Sequence, residues 1–179
     1  ISAERLLNTY DKINTYYTLQ KAVQLNEISE EGASDPHHIV DIIKSVLHKF
    51  DRVKDLDYTE PKPALFFSKL IHTAAKELIE NACKFSEKGT PICIRIFEDT
   101  TGRGIRISNH TMHTTAAALN KYRLFEQHHR EVAEQQGLGI GLAITKLIAS
   151  IHKGSIEFNE VEKESAVREI SAELYLPNP

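Results

Sequence analysis

Glu77-Leu78-Ile79-Glu80-Asn81-Ala82-Cys83-Lys84-Phe85 and Gly137-Leu138-Gly139-Ile140-Gly141-Leu142 are the two stretches that decide how this chain folds. The first closes a run from Ala64 to Phe85 that contains neither proline nor glycine, so it must be mostly helical. Along that helix Leu70, Ala74, Leu78, Ile79 and Ala82 share a packing face. Glu77, Asn81, Lys84 and Phe85 fall at i, i+4, i+7 and i+8 and share another. The second stretch alternates glycine with aliphatic residues and runs directly into an apolar stripe of Ile144, Leu147, Ile148 and Ile151. It therefore reads as a glycine-rich turn opening a helix over Leu142–Ile151, with Gly154 in the left-handed position that ends it.

Between and beyond these helices the period changes to two. Ile92, Ile94 and Ile96 alternate with Cys93, Arg95 and Phe97, and Ile105 and Ile107 follow a turn that contains Gly102 and Gly104. Ile156 and Phe158, then Ile170, Ala172, Leu174 and Leu176, form a second alternating pair separated by a charged turn at 162–165. The order helix, strand pair, helix, strand pair predicts an α+β fold, a two-layer α/β sandwich with helices on one face of a single sheet. Upstream, Ile39, Ile42, Ile43, Val46, Leu47 and Phe50 mark a further helix that starts after Asp35 and Pro36, and residues 55–59 suit a short strand.

The chain opens with a glycine-free, proline-free stretch, 2–27, on which Leu6, Tyr10, Ile13 and Tyr17 form a stripe suited to packing against other helices. The polar, turn-rich segment 29–36 reads as a linker, so one long helix (1–30) precedes the main domain (31–179). With 41% hydrophobic and 26% charged residues the chain is an ordinary globular one. A net charge of −3 shows no basic excess of the kind that marks a nucleic-acid surface. No run is apolar enough to span a membrane, and nothing resembles a signal sequence. Cys83 and Cys93 match neither a zinc spacing nor a disulfide framework, which points to the reducing cytoplasm. His110 with His113, and His128 with His129, lack the spacing of a metal site and read as loop histidines.

The polar stripe on the 64–85 helix carries a distinct chemistry at each position. A carboxylate can polarise a water, an amide oxygen can hold a hard cation, an ammonium can neutralise phosphate and an aromatic ring can cover a base. The alternative is an ordinary solvated helix face. The glycines, for their part, let backbone N–H groups approach a phosphate at a helix N-terminus, where the dipole adds partial positive charge. The alternative there is a tight turn and nothing more.

Taken together, residues 77–85 resemble the N box of sensor histidine kinases, and residues 137–146 resemble their second glycine box, in the same order. Both motifs belong to the ATPase superfamily shared with gyrase-type and mismatch-repair enzymes, and the resemblance covers roughly residues 37–177. The N-terminal stretch, with Arg5-Leu6-Leu7 and Tyr16-Tyr17, is similar to the second helix of the dimerisation and phosphotransfer hairpin that precedes such domains. Residues 125–137 resemble a compact ATP lid. The resemblance implies ATP and Mg²⁺ as cofactors, with Asn81 as the Mg²⁺ ligand, Glu77 in the general-base or water-positioning place, Lys84 on phosphate and Phe85 on the adenine side. Gly137, Leu138, Gly139, Gly141 and Leu142 would shape the phosphate-facing side. It further implies transfer of the γ-phosphoryl group to a histidine, homodimerisation through the N-terminal helix, and a response-regulator receiver domain as partner.

Two departures bear on these implications. The first glycine box of the family, an Asp followed by two spaced glycines, should lie where this chain has Asn109-His110-Thr111-Met112-His113. Asn109 then takes the place of the Asp that accepts a hydrogen bond from the adenine amino group, which points to weakened nucleotide binding and to a non-catalytic or phosphorelay module as the alternative function. The other departure is that a helix carrying the phosphoaccepting histidine is not seen, since His37 and His38 stand outside any such motif.

Overall fold

The structure is a computed structural model that describes residues 3–25, 36–58, 70–112, 115–121, 139–162 and 167–178. The helices are α1 (Ala3–Leu25), α2 (Pro36–Lys49), α3 (Leu70–Phe85), α4 (Ala116–Lys121) and α5 (Ile140–Ile151). The strands are β1 (Leu56–Tyr58), β2 (Ile92–Glu98), β3 (Gly102–Thr111), β4 (Ser155–Glu162) and β5 (Arg168–Pro177). They form one sheet in the order β1-β2-β3-β5-β4, with β1 parallel to β2 and every other neighbour antiparallel. The expected α+β sandwich is therefore the fold. The linker boundary near residue 30 and the segment 125–137 lie outside the described residues.

Strand alternation assigns the two faces. Ile92, Ile94, Ile96, Ile105, Ile107 and Leu174 turn inward and are buried. They meet Ile39, Ile43 and Leu47 of α2, Ile71, Leu78 and Ile79 of α3, and Ile144 and Ile148 of α5 in one core. Cys93, Arg95, Arg106, Ser108, Asn159, Ser171 and Glu173 line the other face of the sheet. A one-residue slip in register would exchange these sets, which is why the pattern specifies the pairing so strongly.

Three details differ from the sequence reading. Gly102 and Gly104 lie within β3 rather than in the turn, which instead spans 99–101 and is closed by the Asp99 carboxylate accepting from the Thr101 and Gly102 amides at 2.7 and 2.9 Å. At the end of α5 the left-handed residue is Lys153, with φ of 54°, and not Gly154. The Gly154 N–H bonds the Ala149 carbonyl at 2.8 Å and the Lys153 N–H bonds that of Ser150 at 3.0 Å, a Schellman closure with lysine in the αL place. Gly154 is needed for room, since a Cβ there would meet the Tyr175 carbonyl oxygen at 2.1 Å.

The third difference concerns α1. The face that docks on the domain carries Ile13, Tyr16 and the buried Leu19. Lys12 shares it, at helical spacing from Tyr16 and Leu19. Of the anticipated stripe only Ile13 docks; the other three look outward, with Leu6, Tyr10 and Tyr17 at 58%, 65% and 55% exposure. Among the described residues no helix is long and apolar enough to cross a membrane.

Candidate nucleotide site

The C-terminal half of α3 is fixed from below by Arg52, which follows the left-handed Asp51 at the end of α2 and is 2% exposed. Its guanidinium donates to the Cys83 carbonyl at 3.3 Å, the Ser86 hydroxyl at 2.6 Å and the carbonyls of Glu87 and Thr90 at 3.1 Å each, and it pairs with Asp55. A single planar fork thus ties the end of α2 to the end of α3 and to the turn leading into β2. Burial pushes the neighbouring Cys83 thiol up to about 11, with the Arg52 charge pulling the other way, so this cysteine is a packed, inert group. The turn after α3 also donates from the Glu87 amide to the His110 carbonyl at 3.3 Å. That contact ties the end of α3, at Phe85, to the end of β3 that carries Asn109, and Asn81 stands about one turn before Phe85 on α3.

Asn109 pairs with Ile92 and Ile170 and shares the inward face with Ile105 and Ile107, as its strand position predicts. Asn81 and Asn109 are both half-buried, and among the described residues neither side-chain amide has a hydrogen-bond partner. Asn120 and Asn178, in contrast, spend their amides on the protein: Asn120 bonds both the N–H and the carbonyl of Phe158 at 3.0 and 2.7 Å. Phe85 is half-buried and belongs to neither apolar cluster. Polar groups left half-open in this way are the ones that a ligand or ion can satisfy.

The glycine-rich segment meets the site at α5. Gly139 is the N-cap in the left-handed conformation with φ of 64°, and no side chain caps the helix, so the first-turn N–H groups are not spent on a cap. The glycine is required at 139 for its backbone angle. Gly141 is required for a different reason from the one the sequence suggested: a Cβ there would meet Glu77 Oε2 at 2.1 Å. It lets α5 close on α3, and any phosphate-facing role falls to its backbone. Leu142 is buried in a small cluster with Ala116, Phe158 and Ile170, so its side chain is core. Gly137 and Leu138 lie outside the described residues.

Glu77 and Lys84 also differ from a simple polar stripe. Glu77 is 4% exposed and paired with Lys12 of α1. Glu80, a residue the sequence reading passed over, is 1% exposed and faces Lys12 at 3.0 Å, Lys84 at 3.3 Å and Lys49 at 3.7 Å. Burial opposes ionisation of Glu80, but the Lys12 charge and hydrogen bond, with Lys84 and Lys49, outweigh it and hold the carboxyl below its usual range. The stability this contributes is present above the ordinary carboxylate pKa and is lost as the pH falls through the lowered one. The Lys84 ammonium, 5.8 Å from the Phe50 ring centroid, is turned toward α2. Two carboxylates at i and i+3 with a lysine at i+4 of the second were visible in sequence, but nothing there signalled that α1 would bury them. Among the described residues no group of three histidine, cysteine or acidic side chains forms a metal site. His110 lies 3.8 Å from Glu169, and His113, His128 and His129 fall outside the described residues.

The family described as "histidine kinase-, DNA gyrase B-, and HSP90-like ATPase" matches residues 68–178. The chain is 29% identical over 97 residues to the heme sensor protein HssS of Staphylococcus haemolyticus, covering 54% of this chain and 21% of that protein. It is 33% identical over 92 residues to the Staphylococcus aureus HssS, strain JH9, covering 51% and 20%. The chain thus spans about a fifth of the length of the relatives it matches. The mycobacterial sensor histidine kinase MprB superposes with a TM-score of 0.57 at 20% identity, over 78% of this chain and 93% of that one, which shows a shared fold. The N-box stretch, the glycine-capped start of α5 and strands β2 to β5 all fall inside the matched span, and the chain belongs to the histidine kinase-, DNA gyrase B- and HSP90-like ATPase family.

Proposed function

We propose that this chain is the ATP-binding catalytic domain of a two-component sensor kinase, whose parent transfers the γ-phosphoryl group of ATP to a histidine. The observation that carries the reading is the pair of half-buried amides, Asn81 and Asn109, without protein partners among the described residues and carried near the joined ends of α3 and β3. Their chemistry fits the ligand. The Asn81 oxygen suits Mg²⁺, which keeps few protein ligands and relies on phosphate oxygens for the rest. Asn109 suits the adenine edge, Phe85 its face, and the uncapped start of α5 the phosphates. Bound Mg²⁺ would neutralise charge on the transferring phosphoryl group, while the protein supplies positioning.

The partners follow from the same reading. A receiver domain of a response regulator would take the phosphoryl group onward. The outward apolar face of α1, with Leu6, Leu7 and Tyr10 all more than half exposed, favours a homodimer formed through this helix as part of a four-helix bundle. A cytoplasmic location is supported by two free cysteines. A second reading, a phosphorelay module with weak nucleotide binding, draws support from the engagement of Glu77 and Lys84 by protein groups.

Asn109 supplies the test. An Asp there would make a charge-assisted hydrogen bond of about 1.5–3 kcal/mol, against about 0.5–1.5 for a neutral one. Asn109→Asp should therefore tighten ATP by roughly 1 kcal/mol, about five- to tenfold. Because an amide can present either its donor or its acceptor, the parent chain should discriminate poorly against GTP and the variant should bind GTP less well. Calorimetric titration of both nucleotides into both proteins measures this, and an Asp variant that binds ATP no better would remove Asn109 from the base pocket.

A further inference from the structure

The face of the sheet turned away from the helices is not flat. Register sets one row of short side chains across its middle, Cys93 opposite Ser108, Ser108 opposite Ser171 and Ser171 opposite Asn159. Longer side chains flank that row, with Arg95, Arg106 and Glu173 on one side and Glu169 on the other. The difference in length leaves a cavity of about 380 Å³ lined by both sets, which falls within the range of small-molecule sites. Its floor holds polar groups that the protein does not use. Ser108 is 8% exposed, and among the described residues neither its hydroxyl nor that of Ser171 has a hydrogen-bond partner. A hydroxyl buried this far ordinarily finds one. Arg95 is exposed and makes no ion pair among the described residues, whereas Arg106 is spent on Glu173, its Nε donating at 2.6 Å. Burial first, and then the hydrogen bond it donates to Asp57 at 3.5 Å, push the Cys93 thiol up, so it stays neutral. With Arg106 and Glu173 neutralising each other, the cavity keeps a positive corner at Arg95 and a negative one at Glu169, which His110 approaches to 3.8 Å.

These groups select a ligand chemistry. A guanidinium fork with two hydroxyl donors beside it suits a carboxylate, which accepts from such donors in pairs. Glu169 and Glu173 on the walls weigh against a dianion such as phosphate. The Glu169 carboxylate, for its part, can accept from an ammonium at the far corner. Arg95 and Glu169 stand two strands apart, about 10 Å, and Arg95 is level with Glu173, four residues along β5 from Glu169. Both side chains reach the cavity, and a two-residue zwitterion, up to about 7 Å long when extended, is of the size to bridge their charged ends. We propose that the outer face of the sheet carries a second ligand site, for a dipeptide-sized amino carboxylate, with Arg95, Ser108 and Ser171 on its carboxylate and Glu169 on its ammonium. Ser108 and Asn109 are neighbours on β3 whose side chains point to opposite faces, so this site is separate from the nucleotide site and does not rest on the reading of it.

Amide NMR of the full chain during titration with L-alanyl-L-alanine tests this. Signals of Cys93, Arg95, Ser108, Asn159 and Ser171 should move in a saturable way while those of Asn81 and Gly139, on the helical side, stay in place. Acetylating the amino group of the dipeptide or amidating its carboxylate removes one charged end, and each change should weaken binding about tenfold. Inorganic phosphate should bind less well than the dipeptide. Arg95→Gln should weaken the dipeptide at least about tenfold, since the fork loses its charge. Glu169→Gln should weaken the dipeptide but not its acetylated form, which has no ammonium to lose. Ser108→Val, a β-branched residue suited to a strand, removes the floor hydroxyl and should abolish binding. Unchanged signals of Ile94 and Ile107 establish that each variant keeps the core. No movement at millimolar dipeptide, equal affinity in the parent and Arg95→Gln, or tighter binding of phosphate than of the dipeptide overturns the proposal.

Discussion

Arg52→Ala is expected to destabilise the domain by about 3–5 kcal/mol, the cost of removing one partner from a buried ionic network. The side chain is 2% exposed and donates to three backbone carbonyls, a hydroxyl and a carboxylate that have few substitutes. The Glu87 carbonyl keeps the Thr90 hydroxyl at 2.7 Å, and Asp55 keeps the Gly89 amide at 3.3 Å. Those of Cys83 and Thr90 lose the Arg52 bond outright. For a chain of this size the melting temperature should fall by roughly 6–20 °C. Arg52→Lys should recover only part of the loss, because an ammonium cannot reproduce the planar fork that spans the end of α2, the end of α3 and the turn beyond. A melting temperature within experimental error of the parent's would show that the clasp is dispensable. Since the same fork holds the end of α3, the site should loosen with the fold, and nucleotide affinity should be compared well below the transition.

Asn81→Ala should have the opposite profile: intact fold, lost ligand. Asn81 is half-buried, makes no hydrogen bond to the described protein, and lies mid-helix, where alanine is the better helix former by roughly 0.5 kcal/mol. Stability in the absence of ligand should therefore be unchanged or slightly raised. Removing an oxygen from the shell of a divalent cation costs at least as much as a charge-assisted hydrogen bond, so Mg-dependent affinity should drop by at least about one to two orders of magnitude. Titration of ATP with and without Mg²⁺ separates this from a general loss of binding. Equal affinities in parent and variant would take Asn81 out of the cation site.

These two residues mark the limits of what sequence can disclose. The helical placement of Asn81 was legible because it stands in a patterned helix with Glu77, Lys84 and Phe85, and the glycine at 139 because it precedes an apolar stripe and takes a backbone angle that suits glycine. The strands were legible because Ile92, Ile94, Ile96, Ile105 and Ile107 alternate, and alternation over a half-buried sheet admits one register. Arg52 was not legible. A lone arginine after a helix looks like any exposed arginine until the carbonyls it collects, from residues 83 to 90, come together in space. The docking face of α1 was caught only at Ile13, for a related reason: Lys12 breaks the apolar pattern, so the eye joins Ile13 to Leu6, Tyr10 and Tyr17, which in fact face outward. Charge at helical spacing reads as solvated surface, and only the approach of α1 turns Glu77 and Glu80 into buried groups. At the end of α5 glycine at 154 suggested the usual left-handed cap, but close packing against Tyr175 explains it instead, and Lys153 takes the strained angle.

Thermal unfolding of the full chain with and without Mg-ATP tests most directly the claim that this is a nucleotide-binding domain. Ligand at about 100 times its Kd adds roughly 2.7 kcal/mol to the folded state, which for a chain of this length raises the melting temperature by about 5–11 °C. The account predicts that rise with Mg-ATP and its absence in Asn81→Ala. No shift in the parent chain at millimolar Mg-ATP would contradict it.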